Sequence, residues 1–249
     1  MTPEILYEDN HLLVVVKPPN LPVMADDSGD PDLQSLLKAF LKERDGKPGQ
    51  VFLALVHRLD RPVGGVMVFA KTSKAASRLS AQIRERTTGK EYLTVLRGTP
   101  SPEQHGLEDF LLKDERTRTS RVVPAGTPGA KLAVLDYRVL QSLPGVSLVW
   151  VRIHTGRPHQ IRVQFASRGT PILGDWRYGG VSEPAGTQGD IALWCLAMTV
   201  DHPTRGERMR FAARPPGVPP WTDFAAEVLL ETAGGPQGSP RHPGAAGGV

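Results

Sequence analysis

The segment HRLDRPVGG (57–65) places one carboxylate, Asp60, two residues after Arg58 and directly before Arg61. Apolar runs flank it, VFLALV (51–56) before and VMVFA (66–70) after. An acid at the junction of two core segments is partly desolvated, and a buried carboxylate is costly unless a cation lies close. Neighbouring residues on an extended chain point to opposite faces, so Arg61 is poorly placed to be that cation. This points to a partner from elsewhere in the chain, and RIHTGRPHQIR (152–162) offers Arg162. On a helix, His159 and Arg162 at i and i+3 share a face. Arg157 and His159 near a helix N-terminus add donors suited to phosphate. Tyr92, in KEY (90–92), offers a stacking ring or a proton-accepting oxygen. Asp175 in ILGDWRYG is a second carboxylate, with the bracing of a loop as its favoured role. A zinc site of His57, His154 and His159 ranks below these readings, because the spacings match no closed-site pattern.

The elements that must position these residues follow from periodicity. LLVVV (12–16) is rich in β-branched residues, stops at Pro18-Pro19 and predicts a strand. Leu33, Leu36, Leu37, Phe40 and Leu41 form one apolar stripe of a helix over 32–46, with Asp30 as cap and Gly46 at its end. A second helix is predicted over 73–86, capped by Ser73, with Ala76, Leu79 and Ile83 inward. Strands are predicted at 90–98, 131–140, 146–153, 191–201 and 207–213, the second and third joined around Pro144-Gly145. Residues 98–106 and 169–190 read as loops, and the charge-rich stretch 111–123 as exposed. TGRPHQIRVQFASRG (155–169) reads as a helix capped by Thr155, with Ile161 and Phe165 inward, and 221–231 as a terminal helix. Strands outnumber helices and do not alternate regularly with them, so the chain is a mixed one without repeating βαβ units.

Composition bounds the function. The 249 residues are 39% hydrophobic, enough for a sizeable core, and carry a net charge of +4, a mild tilt toward a polyanionic partner. The single cysteine, Cys195, excludes an internal disulfide and a thiolate zinc cluster and fits a reducing cytoplasm. The N-terminus has neither a basic start nor an apolar signal core, and no apolar run approaches the roughly 18 residues that span a bilayer. From Ala233 the composition turns to glycine and proline, and residues 233–249 are expected to be a disordered tail.

Taken in order, the motifs resemble the RluA-type RNA pseudouridine synthases. YEDNHLLVVVKPPNLPV resembles that family's first motif, HRLDRPVGGVMVFAKTSKAASRL its catalytic motif and KEY its tyrosine motif. RIHTGRPHQIRVQFASRGTPILGDWRYG and DHPTRGERMRFAARPP resemble its later ones, so the likeness runs from about Tyr7 to Pro220. The resemblance implies an α+β fold with a central mixed, largely antiparallel sheet, flanked by helices and loops around a basic catalytic cleft. It implies that Asp60 is the nucleophile and Arg162 its ion-pair partner. Tyr92 becomes the ring beside the uracil and the candidate base for its C5 proton. Arg58 would fill the space of the flipped nucleotide, and His57, Arg61, Lys90, Arg157, His159 and Gln160 would join it in binding substrate. Residues 1–232 would form one catalytic domain with no separate N-terminal RNA-binding domain, acting as a monomer on ribosomal or transfer RNA. Arg116, Arg118 and Arg121 are either phosphate contacts or a solvated face. The isomerisation oxidises and hydrolyses nothing, so no cofactor or metal is expected, nor any membrane partner. The sequence departs from the family at Asn20, where Gly is common, at Gly64, where Ser is, and at Gln164 and Trp194, where His is.

Two rival readings use the same residues. A nucleoside or glycoside hydrolase would pair Asp60 with Asp175, because such enzymes mostly flank the bond with two carboxylates. A non-catalytic RNA-binding module would use the basic residues alone.

Overall fold

The computed structural model describes residues 3–46, 48–179 and 191–229. In chain order the elements are β1 (Glu4–Glu8), β2 (Leu12–Lys17), α1 (Leu33–Arg44), β3 (Ala54–Leu55), β4 (Gly64–Ala70), α2 (Ser73–Arg84), β5 (Gly89–Arg97) and β6 (Gln104–Asp114). There follow β7 (Thr119–Val123), β8 (Lys131–Leu143), β9 (Val146–Ile153), α3 (Gln160–Ala166), α4 (Trp176–Gly179), β10 (Leu193–Asp201) and β11 (Arg208–Ala212), then a 3₁₀ turn at Trp221–Asp223. The class is α+β, with a mixed and largely antiparallel sheet structure. The described residues group into two compact units, 3–93 with 191–216 and 94–179 with 217–229, and the boundary falls inside β5.

In the first unit β2 pairs with β1 and β4, β4 with β3 and β10, and β10 with β11. Only the β4–β10 pairing among these is parallel. The continuous run LLVVV makes sense here, because Leu12 and Val14 face one side of the sheet, Leu13 and Val15 the other, and all four are fully buried. Helix α2 packs Ala75 and Leu79 against Leu12, Val14, Val66, Val68 and Met198. Its cap is Thr72, which accepts from Ala75 N–H, one residue before the expected Ser73, and Ala75 is buried more deeply than Ala76. Helix α1 is capped by Asp32 rather than Asp30 and buries Leu33, Leu37 and Leu41, each worth roughly 1.5–3 kcal/mol. Leu36 stays at the surface.

In the second unit β8 pairs with β6 and β9, and β6 with β7, all antiparallel. The β8–β9 hairpin turns at Pro144-Gly145 as expected, with Gly145 at φ 79°. The expected loops 98–106 and 169–190 are both corrected. Residues 104–106 belong to β6, and the charge-rich stretch is the β6–β7 hairpin, with Leu111 and Ser120 buried and Arg116, Arg118 and Arg121 exposed. Asp114 makes that turn by accepting from the N–H groups of Arg116 and Thr117. The stretch 169–190 contains α4, and its residues 180–190 lie outside the described ones. The helix expected over 221–231 is the 3₁₀ turn followed by helical residues 226–229, with 230 and 231 outside the described residues. The tail 233–249 lies outside the described residues. Among the described residues no helix is long and apolar enough to cross a membrane.

The turn between β1 and β2 gives the first unit an acid-sensitive fastening. Glu8 takes both guanidinium nitrogens of Arg44, at 2.6 and 2.7 Å, and the Lys71 ammonium at 2.7 Å. The Arg44 guanidinium holds its carboxyl at about 2, against an ordinary 4.5, with burial opposing and Lys71 assisting. Burial pushes Asp9 upward, yet the N–H groups of His11 and Leu12, with His202, outweigh it and hold Asp9 at about 2. A carboxylate lowered in the folded state contributes stability that is complete above its unfolded value and lost as pH falls through the folded one. Urea midpoints are therefore expected to fall steeply between about pH 4.5 and 2, and a Glu8→Gln/Asp9→Asn variant to start lower and fall less. Parallel slopes for the two proteins would contradict this assignment.

Candidate active site

In the first unit Asp60 sits, half-buried, in the turn that leads from β3 into β4. Its carbonyl accepts from Val63 N–H at 3.0 Å. Leu59 and Val63, 5% and 2% exposed, anchor the loop on either side, while Arg58 and Arg61 point outward. Three further groups fix the loop, and none was assigned that task from the sequence.

Lys17 is the first. It is fully buried at the end of β2, and its ammonium donates to the carbonyls of Pro18 (2.9 Å), Leu21 (2.7 Å) and Arg61 (2.9 Å). A buried cation with its three donors on backbone oxygens is stabilised where an unpaired one would not be. It ties the residue after Asp60 to the loop after β2.

His57 is the second. Its Nε2 accepts the Val68 N–H at 3.0 Å, which puts the ring proton on Nδ1. Burial, and then the Lys90 charge, push its pKa well below the ordinary value, so the ring is neutral. The imidazole completes the hydrogen bonding of β4 with a lone pair that is therefore not available to a metal.

The glycine pair is the third. Gly64 and Gly65 stand opposite Trp194 and Cys195 in the β4–β10 register. A Cβ on Gly64 would overlap the Trp194 ring, and one on Gly65 would overlap the Cys195 backbone. Gly65 also has φ 118°, which side chains rarely tolerate. Trp194 is locked by its Nε1–H donating to the Ala213 carbonyl at 2.8 Å. Two departures from the family pattern, Gly64 and Trp194, thus meet in one contact. A third, Asn20, has φ 60°, a region that asparagine shares with glycine.

Tyr92 is buried on β5 within the electrostatic reach of Asp60 and against Cys195. Burial pushes its phenol well above the ordinary value, and the neighbouring Cys195 and Asp60 act in the same direction. The hydroxyl therefore keeps its proton at neutral pH. Burial raises the Cys195 thiol to about 12 and lowers the Lys90 ammonium.

The two arginines beside Asp60 differ. Arg58 is exposed, and among the described residues no hydrogen bond or ion pair engages it. Arg61 donates to the Asn20 carbonyl and Ser28 hydroxyl, both at 3.2 Å, and pairs with Asp30 and, at 3.9 Å, Asp26. It holds the acidic loop 26–30.

In the second unit the expected helix over 155–169 is corrected to the seven residues of α3. His159 is its N-cap in the left-handed conformation, φ 55°, so His159 and Arg162 do not share a helical face as i and i+3. Thr155 does not cap the helix; its hydroxyl accepts from Val134 N–H and donates to Gln160 Oε1. Gln160 is buried and knits the turn, accepting also from Arg157 N–H and donating to the Val134 carbonyl. Arg157 Nε donates to the Leu132 carbonyl at 2.8 Å. The Tyr178 hydroxyl accepts from Ser120 N–H, which leaves its own proton for His159 Nδ1 at 2.6 Å. His154 bonds Asp136 at 2.7 Å. Gln164, wholly buried, donates to Asp109.

Arg162 is 4% exposed and forms a two-pronged pair with Asp175, Nε to Oδ2 at 2.7 Å and a terminal nitrogen to Oδ1 at 2.8 Å, with the Tyr178 ring 5.1 Å from its Cζ. Asp175 also accepts from Tyr178 N–H at the start of α4. Bracing is thus the role that Asp175 fills. Asp175→Asn keeps the shape but removes the charge and one acceptor from a buried guanidinium. We expect a loss of about 1–3 kcal/mol, seen as a lower melting temperature; an unchanged melt would mean that the pair does not hold this segment.

Comparisons with known proteins identify the family. Residues 11–167 match the model of the RNA pseudouridylate synthase family. An uncharacterised RNA pseudouridine synthase of Bacillus subtilis is 32% identical over 206 residues, which are 82% of this chain and 66% of that protein. The ribosomal large subunit pseudouridine synthase D of Vibrio vulnificus is 34% identical over 224 residues, 86% of this chain and 67% of that one. The chain spans about two thirds of the length of these relatives. The solved structure of human RNA pseudouridylate synthase domain containing 4 superposes with a TM-score of 0.72 at 25% identity, covering 86% of this chain and 88% of that one. A half-buried aspartate between outward arginines, in this fold and with these relatives, defines the class: the chain belongs to the RNA pseudouridylate synthase family.

Proposed function

We propose that the chain converts uridine to pseudouridine in ribosomal or transfer RNA, with Asp60 as nucleophile. The observation that carries this reading is the placement of Asp60, half-buried beside the protonated Tyr92 and fixed from beneath by Lys17, His57 and the glycine pair. The relatives' names favour ribosomal RNA of the large subunit. Arg162 is the ion-pair partner that keeps Asp60 charged, within a single catalytic domain. Arg58 enters the RNA stack where the target base has left it, offsetting part of an unstacking cost of a few kcal/mol. Arg116, Arg118 and Arg121 on the exposed side of the β6–β7 hairpin contact phosphates. The protein acts in the cytoplasm as a monomer.

The reaction breaks the C1′–N1 bond of uridine, turns the uracil and joins C1′ to C5; the C5 proton leaves and N1 gains one. No oxidation state changes and no water is consumed, so Asp60, Arg162 and Tyr92 supply what the chemistry needs. Tyr92 packs its ring against the uracil. Because its hydroxyl is protonated, it can take the C5 proton only as its own is passed on. Hydrolysis is disfavoured by Asp175, whose carboxylate is committed to Arg162.

Pseudouridine mapping of total RNA from cells with and without the gene tests the reading. One or more sites should disappear with the gene and return with purified protein on the matching transcript. Free uracil in that reaction would indicate a hydrolase, and RNA binding without any pseudouridine a binding module.

A further inference from the structure

Trp176, at the start of α4, is the most exposed large apolar side chain among the described residues, 69% exposed. The other three tryptophans, Trp150, Trp194 and Trp221, are buried. Arg177 lies over the Trp176 ring, its Cζ 5.2 Å from the centroid. Arginine also lies over an aromatic ring at Phe40, Trp150 and Tyr178, but there a member is already committed. Arg44 is held by Glu8, Arg162 by Asp175, and Trp150 is in the core. In the Trp176–Arg177 stack both members are exposed. Among the described residues no hydrogen bond or ion pair engages the indole N–H or the guanidinium.

The stack stands on a fixed mount. Trp176 N–H donates to the Gly174 carbonyl at 3.1 Å, and Gly179 N–H to the Asp175 carbonyl at 2.6 Å. The Asp175 side chain, buried and clamped by Arg162, accepts from Tyr178 N–H. The Tyr178 hydroxyl accepts from Ser120 N–H at 2.8 Å, which ties this turn to the β6–β7 hairpin with its exposed Arg116, Arg118 and Arg121. The acids of that hairpin are already engaged, Glu115 by Lys113 and Asp114 by the N–H groups of its own turn. An aromatic ring held still loses little freedom when something settles on it.

Chemistry narrows the occupant. Arg177 covers one face of the indole, and an exposure of 69% leaves the other open. A flat apolar face beside a guanidinium without a carboxylate suits a ligand that is flat and anionic at once. An unpaired nucleotide is such a ligand, with a base that stacks on an aromatic ring and a phosphate for the arginine. We propose that Trp176 and Arg177 form a nucleotide-binding contact, in which the indole stacks on an unpaired base of the substrate RNA and Arg177 pairs with the adjoining phosphate. This rests on the reading of the chain as an RNA-modifying enzyme. Every base has a face to stack, so the contact adds affinity and not base choice.

The test titrates the full chain against labelled oligouridylate of about ten nucleotides. Anisotropy gives the affinity, and quenching of tryptophan emission reports the stack, because the other three indoles are buried. Trp176→Ala should weaken binding about fivefold or more and remove the quenching, with the melting temperature unchanged. Trp176→Phe keeps a ring and should weaken binding by less than about threefold. Arg177→Gln should lower the slope of log Kd against log salt by about 0.7, the single-strand value for one phosphate, whereas Trp176→Ala leaves the slope unchanged. Binding by Trp176→Ala within about twofold of wild type would overturn the proposal and leave the exposed ring to a protein partner. So would a wild type that does not bind oligouridylate, a Trp176→Phe as weak as Trp176→Ala, an unchanged salt slope in Arg177→Gln, or a lowered melting temperature in Trp176→Ala, which makes the ring structural. The two readings fail separately. A wild type that forms pseudouridine while Trp176→Ala binds normally loses only this contact; one that forms none in any RNA loses the enzymatic reading, whatever oligouridylate does.

Discussion

Asp60→Asn is expected to lower pseudouridine formation by about four orders of magnitude or more, with RNA affinity changed by less than about threefold. The two side chains have the same shape, so the loop is not disturbed. It is held by the Lys17 ammonium on the Arg61 carbonyl, by His57 on Val68 N–H and by Leu59 and Val63 in the core. What changes is charge. An amide neither attacks the sugar or base nor stabilises a cationic sugar. Single-turnover nucleoside analysis measures the first part and filter binding the second. Arg162→Met supplies the pairing test, for Asp60→Asn and Arg162→Met should combine far less than additively if the two groups act as one unit. Residual activity within tenfold of wild type in Asp60→Asn would remove the aspartate from the chemistry. Full additivity would leave the nucleophile in place and remove only its pairing with Arg162.

The parts of this fold legible in the sequence are those whose signal is local. LLVVV is a strand buried on both faces because every residue of it is apolar, and Pro144-Gly145 turns β8 into β9 because proline and glycine suit a tight turn. The helices α1 and α2 announce themselves by their stripes, although their caps do not. Asp30 and Asp32 are equivalent in composition; Asp32 caps because Leu33 N–H and Gln34 N–H are tied to the carbonyls of Pro22 and Val23, a distant constraint.

The candidate site was legible in its central carboxylate and less so in its supports. Asp60 stands out as a carboxylate between apolar runs. Lys17 does not, because its partners are three backbone carbonyls, and carbonyls have no letter in the sequence. His57 reads as a polar residue close to Asp60, whereas its lone pair serves Val68. The helix drawn from Thr155 fails for a similar reason. The left-handed turn at His159 is held by Tyr178, and the turn before it by Gln160 on Val134, contacts 19 and 26 residues apart in sequence. Only the arrangement in space makes TGRPH a turn and QIRVQFA the helix.

Gly65→Ala and Gly64→Ser are expected to destabilise the first unit by different routes, and a second substitution separates them. At Gly65 a Cβ meets the Cys195 carbonyl and amide, and φ is 118°. The obstacle is backbone on the partner strand, so no side-chain change relieves it. Overpacking at about 1–3 kcal/mol and backbone strain at about 1–3 kcal/mol together cost roughly 2–6 kcal/mol. A protein of this size should melt roughly 5–20 °C lower. At Gly64 the Cβ meets the Trp194 ring instead. Gly64→Ser alone should cost about 1–3 kcal/mol, and Trp194→Ala alone about 3–5 kcal/mol through its cavity. The double variant should cost less than the sum, because the serine occupies part of the space that the ring vacates. Trp194→Ala combined with Gly65→Ala should show no such relief. Calorimetric melts of the five variants decide the matter. Equal coupling of Trp194 to both glycines would mean that ring and backbone move together, and that the close approach of β4 to β10 does not fix the loop carrying Asp60.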